Sequence, residues 1–494
     1  MTTVIASRAT TAETDSEPVL HSRTKIVATV GPASSSEEGI AGLLHAGVDV
    51  FRLNLSHGEV AGHLEIFHRI REVSERLDIP VGILCDLPGP KVRAASFPDG
   101  GVRLLEGDVV ELAFGRDRSS SARIEVNDES VSSLVAGDKV ALGDGAVTLT
   151  VTRSDGQRSL ATVIAGGLVQ GRPGVHIPST RLRMTTPTAQ DFELIEHLKA
   201  VEPDFVALSF VRSAADLDRA RAALGPGPML VAKIETTAAL DDLDAIVETA
   251  DVLMVARGDL GIECAFEDVP HVQNRIIRTC VARGVPVITA TQMLESMITS
   301  PQPTRAEVTD VTNAVFDGTD AVMLSGETAI GRDLAHVVRT MRRIAKRAEE
   351  SANYAQWGAR LGRLQRRGRA EGAITITDAM SHAAWQAADD AKVTAILCCT
   401  RSGVTARSLG RFRPRTQLIA ITPSPRTARQ LLLSWGVQSL VVEERDTIDQ
   451  IVWFAVESSE QAGFVHQGDI VAVLAGAPDT GEAITDVLRL VRVR

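Results

Sequence analysis

The chain has 494 residues and a formal net charge of −11. This length predicts about three domains of ~150 residues each. The negative charge argues against a general nucleic-acid-binding surface, and no apolar run approaches the ~18 residues that a membrane span requires. The five cysteines form no C-x-x-C pair and no zinc spacing, which predicts reduced thiols in a cytoplasmic protein.

The first 22 residues are rich in Ser and Thr and contain three acidic residues. They lack the apolar core of a secretory signal. We therefore expect residues 1–22 to form a disordered tail.

Short apolar runs, separated by segments with helical spacing, recur between residues 23 and 350. This alternation is typical of parallel strands joined by helices. Eight runs predict a (β/α)8 TIM barrel formed by residues 23–87 and 187–350. The predicted strands are Lys25–Val30, Val48–Leu55, Val81–Leu87, Phe205–Phe210, Met229–Ile234, Val252–Val255, Val285–Ala290 and Ala321–Leu324.

Two further regions differ from this pattern. Residues 88–186 contain short alternating runs punctuated by Gly, Asp and Ser, which predict a small β-barrel domain inserted after the third strand. Residues 351–372 are strongly basic and predict an exposed helical connector, with nucleic-acid binding as the alternative. Residues 373–494 alternate again between strand and helix and predict a separate α/β domain.

Charged residues follow two neighbouring strands of the predicted barrel. Lys233 and Glu235 end one strand and point the same way, because strand side chains repeat every two residues. Asp259 follows the next strand. Two carboxylates converging there predict a hard divalent cation, Mg²⁺ or Mn²⁺, and the lysine could neutralise a transferring phosphoryl group. An ordinary salt bridge between Lys233 and Glu235 is the alternative.

Several long strings occur in a fixed order, and through them the chain resembles pyruvate kinase from about Thr24 to Val493. The strings are T-K-I-V-A-T-V-G-P-A-S (24–34), R-L-N-L-S-H-G (52–58), G-P-K-V-R (89–93), K-I-E-T (233–236), M-V-A-R-G-D-L-G-I-E (254–263), A-T-Q-M-L-E-S-M-I (290–298), P-T-R-A-E-V-T-D-V-T-N-A-V (303–315) and M-L-S-G-E-T-A-I-G (323–331). The family combines a barrel, an inserted β-barrel lid and a carboxyl-terminal regulatory domain, and its members are usually homotetramers. We call residues 88–186 the lid.

The resemblance implies phosphoryl transfer from phosphoenolpyruvate to ADP, which depends mainly on positioning and charge neutralisation. Glu235 and Asp259 would hold Mg²⁺, and Lys233 would face the migrating phosphoryl group. The remaining residues assigned to the substrate are Arg52 at the phosphate, the backbone around Gly258 at the carboxylate, Thr291 near the enolate carbon, and Ser325. Arg52 could instead be an ordinary ion-pair partner, Gly258 could serve the turn alone, and Thr291 could cap a strand end.

The family's monovalent-cation site matches Asn54, Ser56 and Asp86. Potassium-dependent relatives carry Thr after the aspartate and Glu in the G-P-E-x-R string, whereas this chain has Leu87 and Lys91. The Lys91 ammonium could occupy the place of K⁺. We therefore expect activity without added K⁺.

The resemblance also implies an ADP site near Pro32, Asn54, His57 and Arg93, and Arg172 could substitute for the basic residue that the family often has at the position of Pro173. His57 could instead be a structural histidine. Pro88 and Pro173 stand where the family often has other residues, basic ones among them, so nucleotide preference could differ.

In the last domain, T-R-S-G-V-T (400–405) follows a strand and opens a helix. Its hydroxyls and amides predict a phosphate site, which the resemblance implies is an effector site, and a capped helix start is the alternative. The residues are Thr400, Arg401, Ser402, Gly403 and Thr405. The later loop, 475–483, lacks the Trp and Arg that grip a bisphosphate in some relatives, so we expect another effector or none.

Two other functions stay open. A Schiff-base or metal-dependent aldolase could use Lys233 covalently, although neighbouring carboxylates favour a charged lysine. The second open function is that of a catalytically weakened paralogue with a regulatory role. The departures from the family pattern at Pro88 and Pro173 motivate this hypothesis.

Overall fold

The computed structural model describes residues 22–143, 145–183, 185–368, 375–476 and 484–494, with the backbone alone for 364–368. The predicted amino-terminal tail, apart from Ser22, lies outside these residues, as do the end of the basic connector and most of the loop at 475–483.

The strands in chain order are β1 (Lys25–Val30), β2 (Val50–Asn54), β3 (Gly82–Asp86), β4 (Val102–Leu104), β5 (Val109–Phe114), β6 (Arg123–Val126), β7 (Lys139–Leu142), β8 (Val147–Ser154), β9 (Arg158–Ala165), β10 (Gly167–Val169), β11 (Val175–His176), β12 (Phe205–Leu208), β13 (Met229–Ile234), β14 (Val252–Ala256), β15 (Val287–Ala290), β16 (Ala321–Leu324), β17 (Ala395–Cys399), β18 (Gln417–Thr422), β19 (Val437–Val441), β20 (Ile470–Ala475) and β21 (Val487–Arg492).

The helices are α1 (Glu37–Ala46), α2 (Val60–Leu77), α3 (Ala189–Lys199), α4 (Ala214–Leu224), α5 (Thr237–Asp241), α6 (Leu243–Thr249), α7 (Arg257–Glu263), α8 (Val269–Arg283), α9 (Arg305–Asp317), α10 (Gly326–Ala329), α11 (Leu334–Ser351), α12 (Tyr354–Gly368), α13 (Ile376–Ala391), α14 (Val404–Gly410), α15 (Pro425–Gln430) and α16 (Ile448–Gln461). Within the described part of the chain, none of them is both long and apolar enough to span a bilayer.

Eight parallel strands close into a barrel in the order β1-β16-β15-β14-β13-β12-β3-β2. This confirms the predicted fold class. Val50, Leu84 and Val231 lie in the apolar core enclosed by the strands. Arg52, Asp86 and Lys233 lie two residues further along the same strands. Because side chains alternate along a strand, the inner face changes from apolar to charged towards the carboxyl ends.

Aspartates at the opposite mouth of the barrel fix the starts of the strands. Asp49, Asp204, Asp251 and Asp320 each precede a strand, and each accepts a backbone N–H bond from a neighbouring segment over 2.8–3.0 Å. A one-residue slip would break these bonds and turn every side chain to the other face of the strand. The aspartates therefore help to hold the register that brings the charged residues together at the far end.

The lid consists of a six-stranded sheet, in the order β11-β7-β8-β9-β5-β6, and the two-stranded sheet β10-β4. Its strands curl around one apolar core of its own. The short strands β4, β10 and β11 were not predicted, because two or three residues carry too little alternation to be distinguished from a loop.

The helical spacing and length of Leu240–Glu248, between β13 and β14, predict one helix, and that prediction is wrong. The structure has α5 and α6, separated at Asp242, whose backbone is not helical (φ −103°, ψ 18°). The Asp242 carboxylate accepts a hydrogen bond from the backbone N–H of Ala214 over 2.9 Å. This contact with the neighbouring unit of the barrel competes with a continuous helix.

The carboxyl-terminal sheet has the order β19-β18-β17-β20-β21, and β21 runs antiparallel to β20 at one edge. This domain docks on the amino-terminal mouth of the barrel through two arginines. Arg413 lies 2.9 Å from the carboxylate of Asp320, and Arg429 lies 2.8 Å from that of Asp204. The same aspartates that align the barrel strands thus also bind the second domain.

Candidate active site

A cluster of charged side chains lies at the carboxyl ends of β2, β3 and β13. The Lys233 ammonium lies 2.9 Å from Glu235 Oε1 and 3.3 Å from Asp86 Oδ1. The Arg52 guanidinium donates to Asp86 Oδ2 over 2.7 Å. These side chains are almost entirely buried, so their ion pairs are screened little by water.

Burial and neighbouring charges together set the ionisation of this cluster. Burial alone would lower the pKa of Lys233, but Asp86 and Glu235 raise it well above its ordinary value. Burial would likewise raise the pKa of Asp86, and the charges of Lys233 and Arg52 lower it instead. Lys233 is therefore a fixed positive charge, and its ammonium lacks the free electron pair that Schiff-base chemistry requires.

The two predicted metal carboxylates influence each other. Glu235 follows β13, and Asp259 lies in the first turn of α7, directly after β14. Burial raises the pKa of Glu235 to about 6; Lys233 opposes this, and the Asp259 charge adds to it. Glu235 Oε2 also accepts the backbone N–H of Phe210 over 2.7 Å. A cation between the two carboxylates would relieve their repulsion.

This donor set fits a hard divalent cation. Carboxylate oxygens are the ligands that Mg²⁺ and Mn²⁺ prefer. Nowhere in the described residues do three or more His, Cys, Asp or Glu side chains form a metal-binding group. Two carboxylates would leave positions for substrate oxygens and water, which is common for Mg²⁺.

The start of α7 is held by a buried arginine. Arg257 donates two hydrogen bonds to the Asp310 carboxylate, over 2.8 and 2.6 Å, and a third to the carbonyl of Ala290. The N–H of Gly258 donates to Thr291 Oγ1 over 2.9 Å, and that hydroxyl donates to the Ala290 carbonyl over 2.7 Å. Thr291 thus joins the end of β15 to the start of α7, and its contacts fix the backbone near Asp259.

The S-G-E-T string places one hydroxyl in an unusual environment. Glu327 accepts the backbone N–H groups of Ser325, over 2.7 Å, and Leu294, over 3.0 Å. The Ser325 hydroxyl oxygen is buried and has no hydrogen-bond partner among the described residues. A buried polar group of this kind gains stability when a ligand supplies the missing bond.

Two family models match the chain. The pyruvate kinase barrel domain matches residues 21–337, and the pyruvate kinase alpha/beta domain matches residues 378–491. The chain is 40% identical over 478 residues to pyruvate kinase 2 of Synechocystis sp., covering 95% of this chain and 79% of that relative. It is also 37% identical over 475 residues to pyruvate kinase of Clostridium acetobutylicum, covering 95% and 99%. The chain belongs to the pyruvate kinase family.

Another relative supports the same assignment. The pyruvate kinase of Methylorubrum extorquens is 39% identical over 469 residues, covering 95% of this chain and 97% of the relative. The resemblance found in the sequence is therefore confirmed, and with it the enzyme class, a phosphotransferase.

Lys91 lies beside the residues that match the family's monovalent-cation site. Its ammonium donates to the carbonyl of Ser56 over 2.7 Å. The side-chain oxygen of Asn54 accepts the N–H of Ser56 over 3.2 Å, so Asn54 and Lys91 both contact the backbone of Ser56. Asp86, the third member of the predicted set, is bound by Arg52 and Lys233 as described above.

The predicted nucleotide residues fall into two groups. Arg93 donates to the backbone carbonyl of Arg172 over 2.9 Å, so these two lie together in the lid. Pro173 is compatible with the backbone pairing of the lid. Its carbonyl accepts the N–H of Ala94 over 3.0 Å, and this bond does not use the backbone N–H that proline lacks. His57 lies on the barrel and is exposed, and its carbonyl lies 2.5 Å from His63 Nε2.

Four of the five predicted effector residues, Thr400, Arg401, Ser402 and Thr405, line a cavity of about 260 Å³ in the carboxyl-terminal domain, and Gly403 is not part of its lining. Thr400 Oγ1 accepts the N–H of Gly403 over 2.9 Å, and Gly403 has the positive φ (+81°) that glycine favours. The Thr405 hydroxyl lies 2.6 Å from that of Thr485. Arg401 pairs with Glu444 over 2.7 Å. The cavity lining also includes the apolar side chains of Ile421, Val442, Ile451 and Phe454. The loop thus resembles a capped helix start that also opens onto a cavity.

Three residues near the charged cluster were not predicted. Ser209 accepts a hydrogen bond from Lys233 Nζ over 2.6 Å and donates to the carbonyl of Leu87 over 2.7 Å. Thr29 Oγ1 accepts from Arg52 over 3.1 Å, and Asp310 pairs with Arg257. Ser209 directly follows β12 and could have been found by the same strand-end rule. Asp310 lies inside α9, where nothing in the local sequence distinguishes it from a surface carboxylate.

Proposed function

We propose that this chain transfers the phosphoryl group of phosphoenolpyruvate to ADP, giving pyruvate and ATP, with Mg²⁺ or Mn²⁺ bound by Glu235 and Asp259. The bond between the phosphorus and the enol oxygen breaks, and a terminal oxygen of ADP forms the new bond to phosphorus. The enolate that remains takes up a proton at carbon. The convergence of Lys233 with the two carboxylates at one mouth of the barrel carries this proposal.

The charged residues would act mainly by electrostatics. Lys233 is held as a cation by Asp86 and Glu235, so it can neutralise the migrating phosphoryl group without rearrangement. Arg52, anchored on Asp86, keeps guanidinium N–H groups for forked bonding to a phosphate. When bound, the divalent cation neutralises charge on the phosphoryl oxygens.

The residues after β14, β15 and β16 would position the organic part of the substrate. The backbone around Gly258 would take its carboxylate, and the buried Ser325 hydroxyl would gain a partner. Thr291 donates to a carbonyl and accepts from Gly258, so we assign it to orienting the substrate or a donor water rather than to giving up a proton.

Monovalent-cation dependence is a separate part of the proposal. The contact between Lys91 and the carbonyl of Ser56 supports an ammonium that replaces K⁺ near Asn54 and Asp86. The ammonium supplies one positive charge, which is the electrostatic contribution of K⁺. We therefore propose that K⁺ is not required.

On the nucleotide side, we propose that Arg93 and Arg172 of the lid, with Asn54 and His57 of the barrel, bind ADP and ATP. Because Arg172 offers its carbonyl to Arg93, its side chain is not consumed by that contact. We infer that Pro173 leaves the lid's backbone pairing intact and that Arg172 supplies the charge on this side of the site.

We further propose a phosphorylated small molecule in the cavity at residues 400–405, a homotetramer and a cytoplasmic location. The hydroxyls of Thr400, Ser402 and Thr405 and the guanidinium of Arg401 support a phosphate in this cavity, and the apolar side chains in its lining support a less polar group on the same molecule. We also retain the domain limits expected from the sequence: barrel 23–87 and 187–350, lid 88–186, connector 351–372 and regulatory domain 373–494.

The activity can be tested by measuring pyruvate formation from phosphoenolpyruvate, ADP and Mg²⁺, with and without K⁺. We expect turnover on the order of 1–100 s⁻¹, the range usual for kinases, and no gain from K⁺. Turnover near zero in a folded chain would favour the weakened-paralogue alternative, which no contact in the described residues supports.

A further inference from the structure

One carboxylate joins the lid to both segments that hold the proposed metal ligands. Glu263 is the last residue of α7, the helix that carries Asp259 in its first turn. His176 Nε2 lies 3.0 Å from Glu263 Oε1. Ser179, near the carboxyl-terminal end of the lid, donates its N–H and its hydroxyl to the same carboxylate, each over 2.8 Å. The Glu263 side chain is only 3% exposed, so these bonds have little competition from water.

The Glu263 carboxylate also reaches towards the other metal ligand. The N–H and hydroxyl of Thr237, two residues after Glu235, each lie 3.4 Å from Glu263 Oε2. Burial would raise the pKa of Glu263, but His176 and Ser179 lower it, so the group is an anion at neutral pH. An ionised carboxylate only accepts hydrogen bonds, so His176 Nε2 is the donor.

His176 makes a second contact, with the segment that fixes Glu235. Its ring lies 6.5 Å from the ring of Phe210, centre to centre. The N–H of Phe210 donates to Glu235 Oε2, and Phe210 has a positive φ of 54°, which is strained for a bulky side chain. Such a backbone persists only where its surroundings hold it, and the lid histidine is part of those surroundings.

We propose that His176 and Glu263 are positioning residues that couple the placement of the lid to the geometry of Glu235 and Asp259. This proposal rests on the proposed function in one respect, because it takes Glu235 and Asp259 as the ligands of the cation. A cation that draws Asp259 and Glu235 together would tighten the lid's exit segment, residues 174–182. A lid placed over the nucleotide would, in turn, favour cation binding, because coupling between two sites is reciprocal.

The test uses the full-length chain with Mn²⁺ alone as the probe. Mn²⁺ affinity is measured by electron paramagnetic resonance, and amide hydrogen exchange of residues 174–182 is measured with and without Mn²⁺. In the wild type we expect Mn²⁺ to slow exchange in this segment. In Glu263→Gln we expect Mn²⁺ affinity to fall about tenfold, at the lower end of effects seen for groups behind metal ligands, and the slowing of exchange to be lost.

Two further variants keep the test decisive if Glu263→Gln folds poorly. Ser179→Ala removes one hydrogen bond and should give a smaller loss of the same kind. Arg219→Gln is the matched control, because Arg219 donates to the carbonyl of Thr186 at the same border, over 2.7 Å, and pairs with Asp216 on its own helix. We expect this control to keep wild-type Mn²⁺ affinity.

The outcomes separate the coupling from the cation site itself. The coupling would be overturned if Glu263→Gln and Ser179→Ala both kept the Mn²⁺ affinity of the wild type and the same slowing of amide exchange by Mn²⁺. This holds even if both variants melt at lower temperature, and the cation site itself would remain supported. A wild-type chain that binds no Mn²⁺ would overturn the cation site, and the coupling with it.

Discussion

The Lys91 ammonium donates to the carbonyl oxygen of Ser56 over 2.7 Å. This contact puts a covalently attached cation next to the residues that match the family's K⁺ site. It supports the expectation from the sequence that activity does not depend on added K⁺, and it identifies the side chain to change.

Changing Lys91→Glu should make the activity depend on K⁺. The substitution removes the attached cation and adds a carboxylate, so we expect turnover without K⁺ to fall at least about tenfold, since a fixed charge at an active site contributes this much or more. Added K⁺ should restore much of it. The measurement is pyruvate formation against K⁺ concentration.

Lys139→Glu, at an exposed position of the same domain, is the control. A Lys91→Glu chain that stays active and indifferent to K⁺ would contradict this role.

Replacing Lys233→Met should abolish most activity, because the methionine has similar length and no charge. We expect kcat to fall by about 10²–10³, the usual loss when one charge-stabilising group is removed. Stability should fall as well, by about 3 kcal/mol, since Asp86 and Glu235 would lose their buried cation.

Lys25→Met separates these two effects. Lys25 is also buried, but it lies at the opposite mouth of the barrel and donates to the carbonyl of Val437. We expect lower stability with unchanged kcat per folded chain. Equal losses of kcat in the two lysine variants would argue against a special role for Lys233.

The docking of the carboxyl-terminal domain should depend on Arg413. This arginine is almost fully buried, pairs with Asp320 and lies over the ring of Trp435. Arg413→Ala leaves Asp320 without its cation, and we expect the free energy of unfolding in urea to fall by about 3–5 kcal/mol. Arg426→Ala, which breaks a more exposed pair with Glu202 at the same interface, should cost less than about 1 kcal/mol. Similar costs for the two variants would count against this account.

Glu307 should contribute stability that depends on pH. Partial burial would raise the pKa of the Glu307 carboxyl, but hydrogen bonds from Ser296 and Thr304 lower it below its ordinary value. A carboxyl group with a lowered pKa in the folded state stabilises the protein above its unfolded pKa of about 4.3, and this contribution is lost as pH falls through the folded pKa.

Glu307→Gln is the corresponding variant. We expect it to lower the free energy of unfolding by about 1 kcal/mol at pH 7, a typical capping contribution, and the difference from the wild type should shrink as the pH falls towards 3. Chemical unfolding at both pH values measures it. A difference that is equally large at pH 3 would show that the charge of Glu307 is not involved.

The barrel could be predicted from the sequence because each strand is a continuous apolar run bounded by turn residues. The division of Leu240–Glu248 into α5 and α6 could not, since the break depends on a hydrogen bond that the Asp242 carboxylate accepts from the distant backbone N–H of Ala214. The strand β21 was also missed. It lies at an edge and is partly exposed, so it lacks the buried run by which the other strands were found.

The candidate site could be predicted only as far as the strand ends and the family strings reach. Lys233, Glu235 and Asp259 follow strands, and a parallel barrel brings such residues to one mouth. Asp310 contacts Arg257, and His176 contacts Glu263. The two partners of each contact lie far apart in the chain. Pairs of this kind are set by tertiary packing, which local pattern does not encode.

The central claim is that Glu235 and Asp259 hold one divalent cation beside Lys233, and titration of the chain with Mn²⁺ tests it most directly. We expect one tight site per chain in the wild type. In both Glu235→Gln and Asp259→Asn we expect at least about a hundredfold weaker binding, since loss of a direct ligand should cost no less than the 10–100-fold loss of a supporting group. The control variant Asp242→Asn should bind Mn²⁺ as the wild type does. Wild-type affinity in either ligand variant would contradict the central claim.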